Sequence, residues 1–158
     1  MIAERESITA KLCSFARAYH SLGESKGMFN DFLAYDLMGS EEYGRIGRLI
    51  ENDFDDSKSH GQLSFNPAKV YRKLDRYISP IPLSRIAFAE SELASFAKEN
   101  GPCQYVICGA GMDSFSFRNK NRNIKIFEVD HPDTQRYKLQ RIRKLNWEIP
   151  SNVTYCPC

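Results

Sequence analysis

The sequence predicts an α/β chain: a helical layer over residues 1–101, then the first strands of an open parallel sheet over residues 102–158. Three observations predict it. The first region carries apolar residues at helical spacing with no strand-like run. From Gln104 the order becomes strand, glycine turn, helix, strand, helix, strand, the pattern of parallel α/β architecture. An acid, Asp130, closes the second of those strands.

Each element follows from local chemistry. Ser7 is placed to cap a helix in which Ile8, Leu12, Phe15, Tyr19 and Leu22 share one stripe, and Gly23 and Gly27 end it. A second helical stretch covers 30–38. A third follows Gly39-Ser40 through Tyr43, Ile46 and Ile50. Residues 52–66 mix charges, serines and a glycine without an apolar period and read as a surface loop. Asn66-Pro67 pairs a capping residue with a first-position proline, opening a helix with Val70, Leu74 and Ile78 inward. Pro80-Ile81-Pro82 is expected to break the chain. Ser84 then caps a long helix with Ile86, Ala89, Leu93, Phe96 and Ala97 inward, stopped by Gly101 and Pro102.

In the sheet region, Tyr105-Val106-Ile107-Cys108 is a short run of strand formers leading straight into Gly109-Ala110-Gly111. Residues Ile124 to Asp130 form the second strand. Pro132 opens a helix through Tyr137, Ile142 and Leu145, and Val153 starts a third strand. So few parallel strands leave edges and faces uncovered, so the chain is expected to be the front part of a larger domain. The basic residues Arg136, Lys138, Arg141, Arg143 and Lys144 spread around their helix and read as a solvated face, with Lys138 on the surface.

Composition narrows the function. Hydrophobic residues make up 42% and charged residues 27% of 158, ordinary for a soluble globular protein. A net charge of +2 argues against a dedicated nucleic-acid binder, whose basic footprint should be large and clustered. No stretch approaches the ~20 apolar residues of a membrane span, and Met1-Ile-Ala-Glu-Arg-Glu lacks a signal pattern, so a cytoplasmic location is expected. Five cysteines (Cys13, Cys103, Cys108, Cys156, Cys158) and three scattered histidines match neither a disulfide framework nor a metal site.

The glycine turn carries the chemistry. Gly109 and Gly111 can take backbone angles closed to other residues, and without Cβ atoms they let a ligand approach the main chain. The turn feeds a helix near Ser114, whose free N–H groups would favour a polar or negative ligand. Asp130 follows Gly109 by 21 residues. In nucleoside-binding α/β domains an acid about 20 residues on accepts from the ribose hydroxyls. The competing role for Asp130 is to cap the helix opened by Pro132. Glu128, on the same strand face, could support that site or pair with a neighbouring Arg or Lys. A dinucleotide site would want a third glycine where Ser114 stands, and the long helical lead is also unlike a dehydrogenase. Both points favour a nucleoside ligand without a pyrophosphate, with S-adenosylmethionine the leading candidate.

Two segments resemble a known family. Residues 105–118, Tyr-Val-Ile-Cys-Gly-Ala-Gly-Met-Asp-Ser-Phe-Ser-Phe-Arg, resemble the first-strand motif of leucine carboxyl methyltransferase-like, S-adenosylmethionine-dependent methyltransferases. Residues 126–138, with their Glu-Val-Asp-His-Pro core, resemble the second-strand motif; Phe15 to His20, Phe29 to Ala34 and Pro82-Leu-Ser-Arg85 are similar to the helical region. The resemblance implies a Rossmann-like, class I methyltransferase fold, incomplete here because family members run to about twice this length. It implies that Gly109 lies against the cofactor's amino-acid part, that Asp130 holds its ribose, and that Arg85 pairs with its carboxylate. Such a pairing suits a guanidinium fork. Ala110, Gly111 and Glu128 are grouped with these residues as candidate cofactor-binding residues. Arg17 could reach the site or form an ion pair within the helical layer. Arg118 and Asp113 read as structural, bonding the turn and the second strand. Asp113-Ser114-Phe115 departs from the usual Asp-Thr-Arg.

The implied reaction moves a methyl group from the cofactor's sulfonium to an oxygen of a small-molecule or carboxylate-bearing acceptor. A carboxylate arrives ionised, so alignment and desolvation suffice, in keeping with the absence of a triad or paired-carboxylate motif. No catalytic residue is assigned. Two readings compete: an NAD-dependent oxidoreductase using the same turn and acid, and a truncated, non-catalytic relative acting through a partner. A homo-oligomer or a completing chain is a further expectation, and the 158-residue chain alone is expected to show no measurable methyl transfer.

Overall fold

The computed structural model describes residues 8–23, 29–53, 72, 74, 76–77 and 79–158. Ser7, Gly27 and most of the stretch read as a loop and a Pro67-led helix lie outside the described residues.

Helices α1 (Ile8–Leu22), α2 (Ala34–Met38), α3 (Ser40–Asp53) and α4 (Pro80–Asn100) precede the sheet. Strands β1 (Cys103–Cys108), β2 (Ile124–Asp130) and β3 (Val153–Pro157) follow, with α5 (Phe115–Arg118) and α6 (Pro132–Lys144) in the two connections. The strands pair in the order β1-β2-β3, all parallel. The helices-then-parallel-sheet architecture read from the sequence is the one observed.

Two apolar clusters hold it. Phe15, Met38, Ile46, Ile50 and Leu74 form the first, between α1 and α3, with Phe15 stacked on Tyr43 at 4.5 Å between ring centroids. The second joins Leu93 and Ala97 of α4 to Phe115, Ile124 and Ile126 against the sheet. Period-two alternation puts Cys103, Tyr105 and Ile107 of β1 on this packed face and leaves Gln104, Val106 and Cys108 exposed.

Two local expectations change. Pro80-Ile81-Pro82 does not break the chain; it is the first turn of α4, preceded by Ser79. Prolines cost nothing there, because first-turn N–H groups have no intrahelical partner anyway. Ser84 lies inside the helix and donates its hydroxyl back to the Ile81 carbonyl at 3.1 Å. Phe96, expected inward, is 53% exposed, while Leu83 is buried with Leu93 and Ala97.

The basic helix differs more. Gln135, Lys138 and Ile142 form the buried stripe of α6. Lys138 is therefore not on the surface: it is 1% exposed, its ammonium bonded to the Glu128 carboxylate and the Asp113 carbonyl. Arg141 is not free in solvent either, since its guanidinium bonds two carbonyls of α2. Lys138 finds its acceptors on the second strand and the turn, which is what lets its charge be buried, and the half-buried Arg141 finds its own on α2.

Candidate functional site

The glycine turn continues directly from β1. Gly109 and Ala110 donate their N–H groups to the Val129 carbonyl at 2.8 and 3.2 Å, extending the strand pairing into the turn. Gly109 has φ +66° and Gly111 φ +49°, both left-handed conformations that glycine adopts without strain. A Cβ built on Gly109 meets nothing within 4 Å, so the backbone here faces open space. Asp113 Oδ1 then accepts the Phe115 N–H at 2.7 Å, closing the turn onto α5. That helix has only four residues, and its leading N–H is already taken. A helix thus starts beside Ser114, as expected, with Asp113 rather than a ligand holding its first N–H.

Asp130 ends β2 beside the turn. One oxygen accepts from Gly111 N–H and the other from His131 N–H at 2.7 Å. The cap of α6 is His131, whose ring nitrogen accepts from Asp133 N–H at 3.3 Å. Asp130 thus ties the glycine turn to the strand end rather than capping the helix opened by Pro132.

A cavity of about 270 Å³ opens at this point. Gly109, Gly111, Met112 and Asp130 form its floor, Thr134 and Tyr137 of α6 one side, and Ala10, Lys11, Ser14, Met38 and Glu42 the helical wall. It sits at the carboxyl ends of the strands, where open parallel sheets place their ligands. Lys11 and Glu42 face each other at 3.7 Å across that wall. Arg45 binds Glu42 through two nitrogens at 2.5 and 2.8 Å and holds its carboxyl below the usual range.

Other residues singled out in the sequence stand apart from the cavity. Glu128 is 1% exposed and is engaged by Lys138 and by the Ser116 hydroxyl, the latter at 2.7 Å. Of the two roles open to it, pairing with a neighbouring cation is the one observed. Ala110 is buried beneath the turn. Arg85 is exposed on α4 and does not line the cavity.

Arg17 and Arg118 belong to a buried ionic cluster under the turn. Arg17 lies 3.6 Å from Asp31 and 3.4 Å from Asp113 and donates to the Met112 carbonyl at 2.6 Å. Arg118 grips Glu90 of α4 at 2.6 and 2.9 Å and lies 3.3 Å from Asp31. Its Nε also donates to Ser114 Oγ at 2.9 Å, so it bonds the turn as expected, but its other bonds run to the helical region rather than to the second strand. Ser114, at the place of a third dinucleotide glycine, is fully buried and donates to Asp31. Asp31 lies in the Phe29–Ala34 segment but was given no role of its own, because its partners Arg17, Ser114 and Arg118 lie well away along the chain. The lining residues Lys11, Ser14 and Glu42 were not singled out, since no short-range pattern joins α1 and α3 to the turn.

A glycine turn and a strand-end acid meet under a helical layer in an α/β fold consistent with an incomplete Rossmann-like methyltransferase. The profile of the leucine carboxyl methyltransferase family matches residues 10–158, and the chain belongs to that family. It is 34% identical to a Bacillus subtilis (strain 168) protein, YktD, provisionally named an S-adenosyl-L-methionine-dependent methyltransferase. The alignment covers 99% of this chain and 53% of YktD, so the chain spans about half the length of that curated relative. Among the described residues no helix is long and apolar enough to cross a membrane, and no His, Cys, Asp and Glu cluster could hold a metal ion.

Proposed function

We propose that this chain carries the S-adenosylmethionine site of a methyltransferase that delivers its methyl group to an oxygen of a carboxylate or hydroxyl acceptor. One observation carries the reading: the Gly109–Gly111 turn and the Asp130 carboxylate meet in a single cavity at the carboxyl ends of adjacent strands. The residues present fit the cofactor. Asp130 keeps acceptor capacity beyond its two backbone bonds, enough for a pair of ribose hydroxyls. The open space over Gly109 admits a ligand against the main chain. When bound, the cofactor supplies an electrophilic methyl group on a sulfonium.

The chain's own contribution is orientation and exclusion of water by the helical wall over the floor. A hydroxyl acceptor would need a base. Of the lining acids, Glu42 is held ionised by Arg45 and is a weak proton acceptor, while Asp130 is taken up by the two backbone N–H groups and, in this reading, by the ribose. That favours an acceptor arriving already ionised, a carboxylate.

Calorimetric titration with S-adenosylhomocysteine and, separately, NAD tests the reading. Binding of the first alone, with a raised melting midpoint, is the expected result. Binding of NAD alone, or of neither, would overturn it.

A further inference from the structure

The cavity lies between a helical wall and a sheet floor, and beside the Arg118–Glu90 pair two arginines next to the cavity, Arg17 and Arg141, reach across in opposite directions. Arg17 of α1, 5% exposed, donates to the carbonyl of Met112, a floor residue. In the reverse direction, Arg141 of α6 donates through Nε to the Leu37 carbonyl and through Nη2 to the Asp36 carbonyl, each at 3.0 Å. Those carbonyls close α2, where helix geometry leaves them without backbone partners. The next residue, Met38, lines the cavity, and Glu42 follows on the first turn of α3.

Gly39 shows that the second contact is built in. Its φ is +86°, and a Cβ there would overlap the Arg141 guanidinium. The backbone thus takes a glycine conformation where the arginine needs room. Neither Arg17 nor Arg141 lines the cavity.

We propose that Arg17 and Arg141 are positioning residues that set the separation of the cavity's walls, so that cofactor affinity depends on two side chains outside the cavity. The proposal rests on the S-adenosylmethionine reading above. Arg141 acts on two backbone carbonyls, and Arg17 on the Met112 carbonyl beside its ion pairs with Asp31 and Asp113; a planar fork spans several acceptors in a way an ammonium does not.

The test compares Arg141→Ala, Arg141→Lys and Arg17→Lys with Ile142→Val, a buried neighbour on α6 that bonds neither wall. S-adenosylhomocysteine affinity is measured on the full chain by calorimetry, and amide hydrogen exchange over residues 34–53 is measured without ligand. Losing two carbonyl bonds should weaken binding roughly tenfold in Arg141→Ala. Arg141→Lys should recover only part of this, and Arg17→Lys should weaken binding in the same direction. Ile142→Val should lower the melting midpoint while keeping affinity within about twofold. Exchange over residues 34–53 should quicken in the Arg141 variants. Wild-type affinity in Arg141→Ala, or an equal loss in Ile142→Val, would overturn the proposal. Should Arg141→Ala fail to fold, Arg141→Lys and Arg17→Lys decide by the same criteria. If the wild type itself binds no S-adenosylhomocysteine, the cofactor reading fails, and exchange alone judges the contact: unchanged exchange in Arg141→Lys overturns it, faster exchange supports it.

Discussion

Glu128 and Asp130 stand two residues apart on β2 and point to one face of the sheet, yet they live in different surroundings. Glu128, 1% exposed, is enclosed by Lys138, the Ser116 hydroxyl and its register partner Tyr155. Asp130, one pleat further on, has reached the strand end and lines the cavity, its bonds confined to the backbone of the turn and of His131. The first acid is spent on folding. The second keeps lone pairs for a ligand. What separates them is distance from the end of the strand, because only there does the sheet open toward the crevice.

The largest effect that would sharpen this contrast is expected for Glu128→Ala. It leaves the Lys138 ammonium buried with only the Asp113 carbonyl, and breaking such a pair costs about 3–5 kcal/mol. Chemical denaturation should show that loss, and the double variant Glu128→Leu with Lys138→Met should recover much of it. A loss under about 1 kcal/mol would remove the distinction between the two acids.

Asp130→Asn should do the opposite. The amide has a single acceptor oxygen and keeps only one of the two N–H bonds, so stability should fall by about 1–2 kcal/mol, less than for Glu128→Ala. Binding of S-adenosylhomocysteine should fall roughly 10- to 100-fold, as for loss of a charged hydrogen-bonding partner. Unaltered calorimetric affinity would take Asp130 out of the site.

A smaller effect is expected in alkali. Burial, and next the Glu128 charge, push the Tyr155 phenol above its usual value of 10.0. The unfolded chain then releases this proton at lower pH than the folded one, so this contribution to stability is intact below pH 10 and is lost progressively above it. Tyr155→Phe should flatten the decline in denaturation midpoint above pH 10. Tyr43, raised to about 12 by burial, would account for slope that persists.

Smallest of all, Glu42→Gln should cost about 0.5 kcal/mol, since Glu42 pairs with Arg45 near solvent. Its folded carboxyl titrates below the unfolded one, so this contribution is present above about pH 4.5 and vanishes as the pH falls through the folded value. Melts at pH 3 and pH 7 should therefore differ less in the variant than in the wild type.

Much of this arrangement was legible in the sequence, and the limits of that legibility have a physical pattern. β1, the glycine turn, β2 and Asp130 were readable because strand alternation, left-handed glycines and the spacing of the acid are short-range constraints. The start of α4 was misplaced because proline reads as a breaker although a first turn tolerates it. Lys138 was misread for a different reason: a lysine on a helix is solvated unless an acid lies beneath it, and the register of α6 over β2 is a tertiary fact. The ion pair of Arg17 within the helical layer was one of its two expected roles, but its partner Asp31, its reach to Met112 and the helical wall of the cavity depend on the same kind of tertiary packing. The floor was written locally; the wall depends on packing.

Gly39 and Arg141 carry one more consequence. Any side chain at 39 would displace the guanidinium, and without it the gap above Gly39 would be left unfilled. The two positions, far apart in the chain, should therefore drift together among relatives. Substitutions at both should also give energies that do not add.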